Sequence, residues 1–181
     1  TLAECPAADF VVAGEGEATM TELVDRLAEI TLAGGRARAV DGALSGIRGL
    51  YVRSGGTIIF GGEREPIADL GGIPFPYAKE LMDFDPTNRI VYYESSRGCP
   101  FSCSYCLSSR GDQATEFRPL DMVFNELDAI LERKPQLVKF VDRSFNADPA
   151  RGRKIWTHLI EHGGNTAFHC EIHPLLLEEE D

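Results

Sequence analysis

Arg97-Gly98-Cys99-Pro100-Phe101-Ser102-Cys103-Ser104-Tyr105-Cys106 is the stretch on which the fold and function of this chain depend. Three of the five cysteines lie in it, with the spacing C-x3-C-x2-C. Gly98 and Pro100 disfavour a helix here, so the three thiols can converge on one point. Three thiolates are a soft ligand set, suited to an iron–sulfur cluster or to zinc. A structural zinc site normally has a fourth protein ligand at close spacing, and none follows.

Strand and helix patterns alternate from just before this stretch to the end of the chain. Apolar runs at residues 90–94, 137–141 and 166–172 predict three strands. Apolar residues at helical spacing predict one helix after Pro119 and a second that Asp148 caps. Helical crossovers between apolar strands predict a parallel sheet with right-handed connections. The predicted fold class is therefore α/β, built on a parallel sheet.

The residues before the sheet predict a βα unit followed by a β-hairpin. Residues 9–34 have the pattern of a strand, a turn and a helix, and Thr19-x-x-Glu22 matches a capping box. Residues 49–60 predict a hairpin with a glycine turn. The prolines and glycines of residues 66–76 indicate an irregular linker. We expect the apolar helix face, with Leu23, Leu27 and Ile30, to pack against the hairpin or the sheet.

The charge and hydropathy of the chain exclude several classes of partner. A net charge of −11 argues against binding to nucleic acid or to an anionic membrane by charge alone. No apolar run is long enough to span a bilayer, and there is no signal-peptide pattern. We therefore expect a cytoplasmic protein, where three unpaired cysteines in one loop need a chemical role.

The cysteine spacing, with the aromatic Tyr105 directly before the last cysteine, resembles the motif of the radical S-adenosylmethionine superfamily. The resemblance implies that Cys99, Cys103 and Cys106 hold a [4Fe-4S] cluster whose open iron binds the amino and carboxylate groups of S-adenosylmethionine. One electron, from a donor such as flavodoxin or ferredoxin, would then cleave the cofactor to a 5′-deoxyadenosyl radical. Tyr105 would lie against the adenine. The resemblance identifies neither the substrate nor any further catalytic residue.

Two more stretches are similar to the subfamily that carries a cobalamin-binding domain before the radical module. Residues 10–17 are similar to the last strand and turn of that Rossmann-like domain, and residues 69–76 to the bridge that follows it, with Gly71 in place of an aspartate. The resemblance implies three parts. Residues 1–35 would be the end of a cobalamin domain, and residues 36–89 a hairpin with the interdomain linker. Residues 90–181 would be the N-terminal half of a radical barrel, that is, a partial parallel (β/α) barrel.

This organisation predicts part of a longer enzyme. The parent would use cobalamin in methyl transfer, cyclisation or a related reaction, whereas this stretch alone is expected to be inactive and to bind no cobalamin. An open edge at the third strand predicts self-association.

Candidate cofactor residues follow the predicted strands, where parallel barrels gather their sites. Asp142 and Asn146 follow the second strand, in a segment similar to the D-x-x-F segment of the cobalamin subfamily, and Glu171 ends the third. Together with Tyr105, they are predicted to bind S-adenosylmethionine. For Asp142, helix capping or an ion pair with Arg143 is the alternative interpretation.

Two other functions compete with the radical enzyme. One is a non-catalytic module in which the three thiols hold zinc or an iron–sulfur cluster for structure. The other is a ferredoxin-like electron carrier, which a fourth cysteine would favour. Outside the motif, Cys170 is expected to be a core thiol. His158 and His162 share a helix face without an evident acidic partner, so we expect exposed helix histidines.

Overall fold

Two hydrophobic cores organise the chain, one in each of two units, Thr1–Ile67 and Ala68–Asp181. The computed structural model describes residues 2–32, 42–83, 85–86, 88–106 and 114–178. In these ranges, no helix is both long enough and apolar enough to cross a membrane.

The first unit contains an antiparallel sheet of three strands. Its strands pair in the order β1 (Phe10–Val12), β2 (Leu50–Ser54) and β3 (Thr57–Phe60). Gly55 and Gly56 connect β2 to β3 with φ angles of 54° and 83°, which glycine adopts without steric cost. The predicted hairpin is confirmed, and β1 adds a third strand to its other side.

One helix, α1 (Glu17–Leu32), covers this sheet. Leu23 is buried in the core, and Leu27 and Ile30 pack against the same cluster, which includes Leu50 of the hairpin. The predicted packing of this apolar face on the hairpin is therefore confirmed.

The predicted capping box at Thr19 and Glu22 is wrong. Thr19 lies inside the first turn of α1, and its hydroxyl donates to the Arg48 carbonyl oxygen at 2.9 Å and accepts from Arg64 Nε at 2.9 Å. Glu22 forms an ion pair with Arg64. Long-range partners take both side chains, so neither caps the helix.

The second unit is built on a parallel sheet with the strand order β4 (Ile90–Tyr93), β7 (Leu137–Phe140), β8 (Ala167–His169). A separate ladder of two-residue strands joins β5 (Ser96–Arg97) to β6 (Glu116–Phe117). The parallel sheet was predicted from the sequence, whereas the short ladder was not. Among the described residues, the sheet remains open, with β4 and β8 at its edges.

Two helices form the crossovers, α2 (Leu120–Leu131) and α3 (Pro149–His162). Both lie where the apolar periodicity predicted them, and Asp148 caps α3 by accepting from the Arg151 N–H at 3.0 Å. Val123 and Leu127 of α2 and Ile155 of α3 are fully buried against the sheet. Each such side chain contributes roughly 1.5–3 kcal/mol of hydrophobic stabilisation.

The third parallel strand is shorter than predicted, with Ala167–His169 in place of residues 166–172. The chain leaves the ladder after His169, and the Glu171 carbonyl oxygen accepts from the Phe145 N–H at 2.8 Å. The segment after β8 is thus bonded to the loop after β7, and a 3₁₀ turn follows at Pro174–Leu176.

Candidate functional site

The cysteine loop, defined as residues 98–115, leaves the sheet after β4 and is closed at its base by the β5–β6 ladder. Gly98 has a φ of 94°, and a Cβ atom there would lie 2.7 Å from the Ala114 carbonyl oxygen. Only glycine therefore allows the two ends of the loop to approach this closely. The loop starts and ends at the carboxyl end of β4, as predicted for a site in a parallel sheet.

The three motif cysteines are free and accessible. Cys99 and Cys103 are half-buried and Cys106 is exposed, and the Cys106 N–H donates to the Cys103 carbonyl oxygen at 3.0 Å. Tyr105 is 88% exposed. Within the described ranges, no three His, Cys, Asp or Glu side chains are arranged to hold a metal ion. The donor set matches a cluster in type and spacing, and cluster binding stays a prediction.

Asp142 lies at the carboxyl end of β7 and is 1% exposed. Its Oδ1 accepts from the backbone N–H groups of Ser95 and Ser96 at 2.8 and 2.6 Å, and its Oδ2 accepts from the Ser95 hydroxyl at 2.8 Å. Burial raises the pKa of the carboxyl, and these hydrogen bonds lower it by less. Asp142 therefore holds the residues that lead into the cysteine loop.

Asn146 makes a second connection to the loop, through His173. Its side chain accepts from the His173 N–H at 2.8 Å and donates to the His173 carbonyl oxygen at 3.0 Å. The His173 ring stacks on Phe101, inside the C-x3-C segment, with centroids 4.0 Å apart and planes 26° apart. The sequence around His173-Pro174 contains no local signal for this contact.

Two buried polar atoms beside the cysteine loop lack a hydrogen-bond partner among the described residues. They are Oγ1 of Thr115, where the loop returns, and Nδ1 of His173. A buried polar atom without a partner costs roughly 1–3 kcal/mol, and most buried polar atoms in proteins have one. Both atoms are suited to a hydrogen bond with a polar group bound at the loop.

A buried ion pair supports the chain just beyond the loop. Arg118 and Glu126 are 7% and 8% exposed, and Glu126 also accepts from the Tyr93 hydroxyl at 2.7 Å. Arg118 donates in addition to the carbonyl oxygens of Leu70 and Ile73, in the linker that resembles the interdomain bridge. Burial opposes the charge of Arg118, but the hydrogen bonds and charge of Glu126 outweigh it and raise the pKa of the guanidinium.

Two more charged residues lie at this end of the sheet, Glu171 and Arg97. The Glu171 side chain is exposed, at the same end of the sheet as Asp142. Arg97, directly before the loop, pairs with Glu94 at 2.6 Å.

Two side chains outside the loop differ in how well the sequence predicted them. Cys170 packs against the core as expected, and burial raises its pKa to about 12. His158 does have an acidic partner, since its Nε2 lies 2.8 Å from Asp128 Oδ1. The sequence concealed this pair because the two residues are 30 positions apart.

A cavity of about 440 Å³ lies at the opposite end of the strands. It is lined by the segments that precede β7 and β8, including Lys134, Gln136 and Thr166. None of the predicted site residues lines it.

Comparison with known proteins finds enzymes that are similar to most of this chain. No protein-family model matches the chain. It is 32% identical over 168 residues to an uncharacterized methyltransferase of Pyrococcus horikoshii, covering 90% of this chain and 34% of that one. It is 29% identical over 136 residues to the anaerobic magnesium-protoporphyrin IX monomethyl ester cyclase of Rubrivivax gelatinosus, covering 73% of this chain and 23% of that one.

Solved structures share the fold of the chain. The radical S-adenosylmethionine methyltransferase TsrM from Kitasatospora setae, solved with cobalamin and a [4Fe-4S] cluster bound, matches 95% of this chain with a TM-score of 0.61 and 16% identity. The resemblance to cobalamin-dependent radical S-adenosylmethionine enzymes is confirmed. OxsB, a cobalamin-dependent radical enzyme solved with aqua-cobalamin and S-adenosylmethionine bound, matches 88% with a TM-score of 0.59 and 18% identity. The chain spans 35% of the TsrM chain and 22% of the OxsB chain.

Proposed function

We propose that this chain is part of a radical S-adenosylmethionine enzyme in which Cys99, Cys103 and Cys106 hold a [4Fe-4S] cluster. The observation that carries the proposal is the position of the cysteine loop. It lies at the carboxyl end of β4, beside the ends of β7 and β8, in a fold that matches radical S-adenosylmethionine enzymes. A cluster held by three cysteines leaves one iron open to the cofactor, which supplies the one-electron chemistry.

The chain's own residues would orient the cofactor around that iron. Tyr105 and Glu171 have exposed side chains and are the proposed direct contacts. Asp142 and Asn146, also predicted to bind the cofactor, are each 1% exposed, and all their described hydrogen bonds are to the protein. The unpartnered Thr115 Oγ1 and His173 Nδ1 are further candidates for polar contact.

For the whole enzyme, we propose a cobalamin-dependent reaction such as methyl transfer or cyclisation. The support is that relatives named as a methyltransferase and a cyclase match the chain. In this organisation, residues 1–35 are the end of a cobalamin-binding domain, and residues 36–89 are the hairpin and linker. Residues 90–181 are a truncated barrel, namely its N-terminal half. Electrons would come from flavodoxin or ferredoxin in the cytoplasm, where the three thiols stay reduced.

Iron binding tests the proposal. After anaerobic reconstitution of the full 181-residue chain, we expect about four irons per chain, as in a cubane cluster. Cys103→Ala should abolish iron binding, whereas Cys170→Ala, a matched change at a core thiol, should retain it. Stoichiometric zinc that resists replacement by iron would refute the proposal.

The competing function is a structural metal-binding module without catalysis. Binding of the cofactor to the open iron separates the two hypotheses. The reduced, reconstituted chain mixed with S-adenosylmethionine should show a changed electron paramagnetic resonance spectrum if the open iron binds it. Iron binding without such a change would favour the structural module.

A further inference from the structure

We propose that Asp142 and Asn146 are positioning residues that hold the cysteine loop from two sides. The proposal rests on the proposed function and adds to it how the loop is fixed. The two residues are four positions apart, just after β7, and their side chains reach segments that follow β4 and β8. Each connects to the loop at a different point.

Asp142 fixes the entry to the loop. Its carboxylate accepts three hydrogen bonds from Ser95 and Ser96, at 2.6 to 2.8 Å, where the β5–β6 ladder begins and shortly before the first cysteine. With the side chain 1% exposed, water cannot replace these bonds when they are lost. The two backbone N–H groups would then be buried without a partner.

Asn146 fixes the interior of the loop. It brackets the backbone of His173 with one accepted and one donated hydrogen bond, which sets where the His173 ring lies. That ring stacks on Phe101, midway between Cys99 and Cys103. The distance between these two cysteines therefore depends on a residue more than 40 positions along the chain.

Positioning of the cysteine loop requires a different property of the side chain at position 142 than direct contact with the cofactor does. Direct contact with the cofactor's amino group needs a negative charge, whereas positioning needs an acceptor of the right shape. Asparagine keeps an oxygen for both N–H groups, and its amide can donate to the Ser95 hydroxyl, which rotates to accept. Asp142→Asn should therefore preserve the loop, and Asp142→Ala should not.

The first measurement follows the release of iron from the reconstituted chain to a chelator. Asp142→Ala and Asn146→Ala should release iron about tenfold faster than the wild type, the effect expected from roughly one lost hydrogen bond to a buried group. His173→Ala should behave in the same way, while His173→Phe, which keeps a stacking ring, and Asp142→Asn should resemble the wild type. Asp148→Ala is the matched control, because it removes the cap of α3 without touching the loop.

The second measurement does not depend on iron. Amide hydrogen exchange of residues 98–106 in the iron-free chain should be about tenfold faster in Asp142→Ala and unchanged in Asp142→Asn. If the wild type binds no iron, the proposed function fails, and this exchange pattern alone decides the positioning role. If Asp142→Asn exchanges as fast as Asp142→Ala, or keeps its cluster but loses the spectral response to S-adenosylmethionine, the positioning role is overturned. Iron release and exchange at wild-type rates in Asp142→Ala would overturn it as well.

Discussion

Replacing Glu126 with leucine would leave the Arg118 guanidinium buried without its hydrogen-bonded counter-charge. Arg118 is 7% exposed, and Glu126 accepts from it and from the Tyr93 hydroxyl. Breaking a buried pair on one side costs about 3–5 kcal/mol, because the remaining charge is neither solvated nor paired. For a chain of this size, this corresponds to a fall in Tm of roughly 6–20 °C.

Two further variants make the magnitude a test of the reasoning. Tyr93→Phe removes one hydrogen bond and leaves the ion pair intact, so it should cost only about 1–2 kcal/mol. The double variant Arg118→Met with Glu126→Leu removes both charges, and it should be more stable than Glu126→Leu alone. Glu126→Leu should therefore be the least stable of the three variants, because only it leaves the Arg118 charge buried without its partner.

Tryptophan fluorescence during urea unfolding provides the assay. Trp156 is the single tryptophan of the chain, and it packs against the core of the second unit and stacks on Phe145 at 5.4 Å. Its signal therefore reports unfolding of the unit that contains the ion pair. A cost below about 1 kcal/mol for Glu126→Leu, or a double variant less stable than the single one, would refute the reasoning.

Three more outcomes are expected from the remaining features. Burial raises the pKa of Cys170 to about 12, so at pH 8 only about one thiol in ten thousand is ionised. Iodoacetamide should therefore label Cys170 far more slowly than the exposed Cys5, as measured by mass spectrometry. Equal labelling rates would contradict the burial of Cys170. Hydroxocobalamin should give no saturable spectral change, because the described strands of the first unit pair only antiparallel and form no crevice between parallel strands; tight binding would place the domain boundary elsewhere. Sedimentation should show association that grows with concentration, because β8 is an edge strand followed by exposed apolar residues such as Leu175; a monomer at every concentration would count against this edge.

The sequence predicted the elements whose signals are local. The bounds of α2 and α3 follow from apolar periodicity with Pro119 and Asp148 at the starts, and the parallel pairing follows from helical crossovers between apolar strands. The position of the cysteine loop after β4 could also be predicted. The sequence signal for each of these features lies in residues within a few positions of one another.

What the sequence could not predict depends on distant partners. Asp142 accepts hydrogen bonds from residues 46 and 47 positions away. These bonds account for its buried position without a helix cap or an ion pair. Thr19 matched a capping box, yet Arg48 and Arg64 take its hydroxyl. The β5–β6 ladder escaped prediction because two residues are too few to show a period-two pattern.

That two-residue ladder makes the length of the cysteine loop nearly independent of the rest of the fold. The chain leaves at Arg97 and returns at Glu116, its ladder partner, so the sheet does not register how many residues lie between them. Doubling a flexible connection adds only about 0.6 kcal/mol of closure entropy. Residues inserted between Cys106 and Ala114 would therefore change the surroundings of the thiols while sparing the spacing C-x3-C-x2-C. The length of this loop could therefore change with only a small cost to folding.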